Sequence, residues 1–495
     1  MASAQLEVRT EAQLTLSDGD NTPLWLNANK YGLSSLDTSN GYLRAGVFRS
    51  SEQDSMQVVC MGFGVDMAVA AGFTSDVVAQ QVYGEIGWKR VLLTIGSKEQ
   101  PMELKNQELS TGPQTLGINA RPLPSVRLSL PNYWDIPGTR GWLSLKGHVS
   151  YGLTTDDAWQ RSFSEKQNKY TQHTMVHTKA GYLRIGHADK PLTVELGLEM
   201  ATQFGGTSYA NVGSTELVEV KNEGGVKAMW DALIPGGHET VESDYKNVGG
   251  NHLGSMLARV NLDYVKWGVS AYVDHFFEDH SQMFFFCRDD YGEGAEWDTH
   301  VRHNYFVYDF KDALLGLELR LKESRWLSTV VAEYVYTKYQ SGPVYHDHTL
   351  RKPDQIAGRD NYYNHYVYSG WQHWGQVMGN PLYRSPLYNT DGHIMVENNR
   401  FWAWHLAAAG APIPDVRYRL MATWQRGFGT YDKPLPDPRR NFSLLAEAAY
   451  SFPECSMFAG WNVKGGLGWD RGGLLGDNLG FQLTIGRKFY VNKKR

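Results

Sequence analysis

The residues best suited to chemistry fall in one run, DNYYNHYVYSGWQHW, residues 360–374. Sugars present apolar C–H faces edged by hydroxyls. Flat aromatic rings cover such faces, and carboxylate, amide and imidazole groups bind the rim. Asp360, Tyr362, Tyr363, Asn364, His365, Trp371 and Trp374 supply both functions, so a polysaccharide-binding loop is expected here. The plain alternative is that the same rings pack a loop onto its scaffold.

A second stretch, 98–140, carries Asn119, Arg121 and prolines at 122, 124 and 131, with no alternation. It is expected to fold inward as a plug or to lie across an opening; an ordered surface loop is the alternative. Other chemistries find weaker support. His346-Asp347-His348 and the pair His300 and His303 invite a zinc reading, but no third ligand has suitable spacing and no HExxH occurs. Glu278, Asp279, Asp289, Asp290, Glu293 and Glu296 are numerous enough for a glycosidase pair, which needs a separation no sequence shows. There is no GxSxG or P-loop. The expectation is therefore a protein that is not an enzyme and holds no metal and no cofactor. Cys60, Cys287 and Cys455 are too scattered for a zinc knuckle or a disulfide framework.

What must position these residues is a set of strands. In VRYRLMATWQR, residues 416–426, Val416, Tyr418, Leu420, Ala422 and Trp424 alternate with Arg417, Arg419, Met421, Thr423 and Gln425. Successive strand side chains point to opposite faces, so the segment has an oily face and a wet one. LEVRTEAQLTL (6–16), LTVELGLEM (192–200), LARVNLDY (257–264), LLGLELRLK (314–322) and FQLTIGRKF (481–489) repeat the pattern. Roughly sixteen to eighteen strands of about 9–11 residues emerge, the length that crosses a bilayer when tilted. The stretches 203–250, 278–298 and 339–398 read as long loops, and VKAMWDALIP (226–235) as a short helix inside one of them.

Two architectures compete for the oily faces. A soluble sandwich packs them on one another, whereas an outer-membrane barrel gives them to lipid. A soluble open sheet rarely exceeds about ten strands without splitting or being covered by helices. Tryptophans near strand ends suit the rims of a hydrocarbon band. A β-propeller would show a blade repeat, and none is seen. The fold expected is all-β: one transmembrane antiparallel barrel spanning residues 1–495, with long extracellular loops and an internal plug. The wet faces carry Arg259, Arg320, Glu195, Glu199, Glu318 and Asp263, so ion pairs inside the lumen are expected. A net charge of −5 with no basic block gives no sign of a nucleic-acid partner. Ala2-Ser3-Ala4 fits an export-signal cleavage site, so a removed signal is expected.

TPLWLNANKYGLSS (22–35), INARPLPSVRLSLPNY (118–133), DNYYNHYVYSGWQHWGQVMGNPL (360–382), VYDFKDALLGLELRLK (307–322), EYVYTKYQSGP (333–343) and TIGRKFY (484–490) resemble the capsule-assembly Wzi family of Gram-negative outer membranes. The resemblance implies an 18-stranded barrel that holds capsular polysaccharide at the cell surface as a lectin, without catalysis, amid lipid and lipopolysaccharide. The best-known members begin with a small helical bundle, whereas Leu6 to Leu16 here reads as a strand. An outer-membrane channel, or a scaffold subunit binding other outer-membrane proteins, is the alternative.

Overall fold

Alternation requires an environment that differs across the sheet, and a closed barrel supplies one. The computed structural model describes residues 5–51, 59–187, 189–211, 216–234, 250–278, 290–291, 300–301, 311–340, 345–346, 355–356 and 360–492. Its main sheet has eighteen strands. They are β1 Gln5–Asp18, β2 Ser39–Arg49, β3 Val59–Ala71, β4 Val77–Trp88, β5 Val91–Ser97 and β6 Ser125–Asp135. Then follow β7 Leu143–Leu153, β8 Met175–Ile185, β9 Leu192–Phe204, β10 Asn251–Asp263, β11 Trp267–Glu278 and β12 Ala313–Leu321. The last six are β13 Thr329–Tyr336, β14 Phe401–Ile413, β15 Val416–Gly429, β16 Pro434–Ser451, β17 Trp461–Gly472 and β18 Asn478–Asn492. Each strand pairs antiparallel with the next, and β1 pairs with β18 from Gln5↔Asn492 to Asp18↔Leu479. That closure leaves no edge whose N–H and C=O groups would face hydrocarbon unpaired.

The outward set is apolar and exposed: Leu43, Val69, Leu317, Leu406 and Leu420 belong to it. Inward neighbours such as Asp66, Glu318, Glu333 and Thr423 are buried. Trp88, Trp142, Trp267 and Trp326 stand exposed at one rim, at the ends of β4 and beside β7, β11 and β13. Toward the other rim, Trp404 and Trp424 face each other across β14 and β15. These two girdles bracket the lipid band. Leu317→Arg, at the middle of β12, is expected to cost about 2–4 kcal/mol, read as a lower urea midpoint in liposome-refolded protein.

One end of the barrel has short connections, with residues 89–90, 264–266 and 414–415 sufficing. The other end carries 98–124, 205–250 and 337–400. In outer-membrane barrels the short turns face the periplasm and the long loops the exterior.

The 98–140 expectation needs correction, because 125–135 is the barrel strand β6. Pro131 hid it. The register with β7 slips between Leu130 and Trp134, and this bulge accommodates a residue without an N–H. The stretch 203–250 is also not plain loop. Thr207–Ala210 pairs with Val218–Lys221 and Tyr170–Gln172, and a helix, α1, covers Gly225–Leu233. A second helix, α2, runs over Asp157–Phe163. Asp279, Asp289, Glu293, Glu296, Cys287, His303, Asp347 and His348 lie outside the described residues.

Candidate functional site

Three outer-end segments, 19–38, 98–124 and 360–400, turn inward and pack on the wall. Their bonds follow the polar inner face of the strands. Glu333 of β13 accepts from Ser110 Oγ at 2.6 Å, Thr111 N at 2.7 Å and Thr111 Oγ1 at 2.6 Å. Asp274 of β11 accepts from Lys105 Nζ at 2.7 Å and Gln114 N at 2.9 Å. On the first segment, Leu24 N donates to Asp470 of β17 at 2.9 Å and Trp25 Nε1 to Thr423 of β15 at 3.1 Å. The wet-face charges also pair among themselves: Arg259 meets Glu318 at 2.7 Å, and Arg419 meets Glu447 at 2.8 Å.

Asn119 joins all three segments. Its side chain accepts from Asn29 N at 3.1 Å and donates to Val377 O at 3.0 Å. Arg121 lies near the outer end. Its guanidinium stacks 4.4 Å from the Trp374 ring centroid and donates to Thr74 Oγ1 at 2.8 Å.

The seven residues expected to bind sugar are divided by the structure. Tyr362 and Tyr363 are 0% exposed and Trp371 2% exposed, so their ring faces are covered. Tyr362 packs edge-on to Phe276 at 4.7 Å, and Tyr363 stacks on Tyr383 at 4.0 Å. Trp371 Nε1 donates to Thr115 O at 2.9 Å. A Cβ at Gly379 would overlap the Tyr363 hydroxyl and the Gln114 carbonyl, so the close approach of the segments requires glycine there. These three rings form the hydrophobic core of the plug together with Leu109, Val331, Val335 and Phe401. Asp360, Asn364, His365 and Trp374 remain partly exposed.

Two histidines brace this region. His373 Nδ1 donates to Arg121 O at 2.9 Å, and its Nε2 accepts from Thr155 N at 3.1 Å. His365 Nδ1 accepts from Val367 N at 3.0 Å and Tyr368 N at 3.1 Å. Burial pushes His365 down to about 3 and lowers His373 as well, so both rings stay neutral near pH 7 and serve as fixed hydrogen-bonding struts. Asp156, preceding α2, accepts from Trp374 N at 3.0 Å and ties the 154–174 loop to the plug.

Two cavities flank the plug. An inner one of about 1000 Å³ lies between 98–124 and the wall of β1–β9. An outer cleft of about 600 Å³ gathers Asp20, Arg384, Tyr388, Glu397 and Arg439. In the cleft Arg384 pairs with Glu397 at 2.9 Å. Sequence reasoning missed this cleft. Its residues come from four distant stretches, and the only local signal was the polar, aromatic character of 384–397.

The closed eighteen-stranded sheet with a lipid-facing band makes this protein an outer-membrane β-barrel. No protein-family model and no curated protein sequence matches it. Among solved structures it is similar to Wzi of Escherichia coli, described as an outer-membrane protein involved in group 1 capsule assembly and a carbohydrate-binding β-barrel. The TM-score is 0.56 at 11% identity, covering 98% of this chain and 85% of that one. OprD of Pseudomonas aeruginosa gives 0.46 at 10% identity, over 99% of this chain and 96% of its own. OccAB3 of Acinetobacter baumannii gives 0.47 at 10% identity, over 99% and 100%. Identity this low establishes a shared fold and nothing finer.

Proposed function

We propose that this protein is a non-catalytic barrel of the Wzi type, which engages capsular or other surface polysaccharide on the outer face of its plug. The observation that carries this reading is the plug itself. Three segments bonded to the wall leave a polar, aromatic outer surface in place of a pore mouth. Asp360, Asn364, His365 and Trp374 on that surface, and Arg439 and Asp20 in the outer cleft, combine ring faces with rim-binding groups. A repeating polymer multiplies weak contacts into firm retention.

Trp374→Ala combined with Arg439→Ala is expected to lower retention of the cell's own surface polysaccharide by about tenfold, equivalent to about 1.4 kcal/mol. The assay is retention on immobilised protein whose heat-modifiable gel migration shows an assembled barrel. Unchanged retention would remove the outer face from the account. A conduit is the second reading, favoured by the inner cavity, which reaches the short-turn end.

A further inference from the structure

We propose that the inner cavity is a binding site for a uronate, a sugar bearing a carboxylate, with Arg127 holding the carboxylate. This site is distinct from the outer face and does not rest on the function proposed for it.

The cavity has a direction. Exposed Arg9, Lys89 and Arg90 line it at the short-turn end, whereas buried Arg121, Trp371 and Met378 line it at the outer end. It is therefore reached from the periplasmic side. Its volume of about 1000 Å³ lies at the top of the usual range for small-molecule sites, about 300–1,000 Å³.

Most cations on its wall have partners. Lys98 pairs with Glu85 at 2.6 Å, and Arg9 and Lys146 pair with Glu7 and Glu103. Arg127 differs. It points inward from β6, between outward Val126 and Leu128, and makes no hydrogen bond or ion pair with any described residue. The carboxylates facing it are already engaged. Glu103 holds Lys146, and Glu199 accepts from Tyr182 Oη at 2.7 Å and Leu116 N at 3.4 Å.

Around Arg127 the register builds a row of hydroxyls. Arg127 lies opposite Ser150, and Ser150 opposite Thr178, while Ser129 lies opposite His148. Ser150 Oγ and Thr178 Oγ1 are 2.7 Å apart, and His148 Nε2 is 3.2 Å from Thr178 Oγ1. A half-buried guanidinium without a directly bonded carboxylate is costly, and an anionic ligand offsets that cost. Its planar fork matches a carboxylate through two parallel hydrogen bonds. One unpaired arginine matches the single charge of a carboxylate. The dianion of a phosphate monoester would call for a second cation beside Arg127; Arg121 is stacked on Trp374, and Lys89 and Arg90 lie over the Trp88 and Trp134 rings at the short-turn end.

Calorimetry on the full-length protein in detergent tests the assignment with three probes: trigalacturonate, neutral trigalactose and inorganic phosphate. Wild type is expected to bind trigalacturonate and neither of the others. Arg127→Gln is expected to weaken binding by about tenfold or more, the loss of a charge-assisted pair. Arg439→Ala in the outer cleft, which does not line this cavity, is expected to leave it unchanged. If Arg127→Gln does not assemble into a heat-modifiable barrel, Thr178→Val is used instead, and weaker trigalacturonate binding is expected there too. No binding of trigalacturonate to wild type overturns the proposal. So does equal binding by the assembled variant, or a preference for phosphate.

Discussion

Lys105→Met is expected to loosen the plug by about 3–5 kcal/mol, the cost of leaving one member of a buried ion pair alone. The Lys105 and Asp274 side chains are 1% and 0% exposed and lie 2.7 Å apart, one on the plug and one on β11. Without the ammonium, Asp274 keeps, among the described residues, only the Gln114 amide, 2.9 Å away, as a hydrogen-bond donor to its charge. Hydrogen exchange then rises in 98–124 while the strands stay protected. The double change Lys105→Met with Asp274→Leu removes both charges together, and most of the protection is expected to return. If single and double variants exchange alike, the pair does not hold the plug.

Replacing residues 101–121 with a short Gly-Ser link is expected to produce stable open-channel current in planar bilayers. Lumens of this strand number are wide enough for an aqueous path. The inner cavity already runs from the short-turn end to Arg121 and Trp371. The link would remove Arg121 from Trp374, Ser110 and Thr111 from Glu333, and Asn119 from the two other segments. Heat-modifiable migration identifies assembled barrels. Silence from such barrels would mean that 19–38 and 360–400 seal the lumen unaided.

The strands were legible where lipid and water impose opposite demands. LARVNLDY and LLGLELRLK alternate cleanly because Ala258 and Leu317 face outward while Arg259 and Glu318 pair inside. The signal fades where the plug replaces water at the inner face. Val331, Val335, Phe401 and Ala403 point inward yet are apolar, because they meet Tyr362, Tyr383 and their neighbours. Residues 22–35 resembled a known family but gave no hint of entering the lumen. What holds Leu24 and Trp25 there are Asp470 and Thr423, some four hundred residues away. The chemistry of DNYYNHYVYSGWQHW was readable, but not its direction. Tyr362, Tyr363 and Trp371 turn into the core, and Trp374 turns back toward the rim because its amide is held by Asp156. Arg127 had no signature at all, since its isolation depends on where Glu103 and Glu199 spend their charges.

The proposal that the inward segments close the barrel makes one demand above the others. Wild-type protein, purified in detergent and inserted in planar lipid bilayers, should add no current over a range of voltages. Long-lived unitary current steps from the unmodified protein would contradict the account, and would make the lumen a path instead of a scaffold for the outer face.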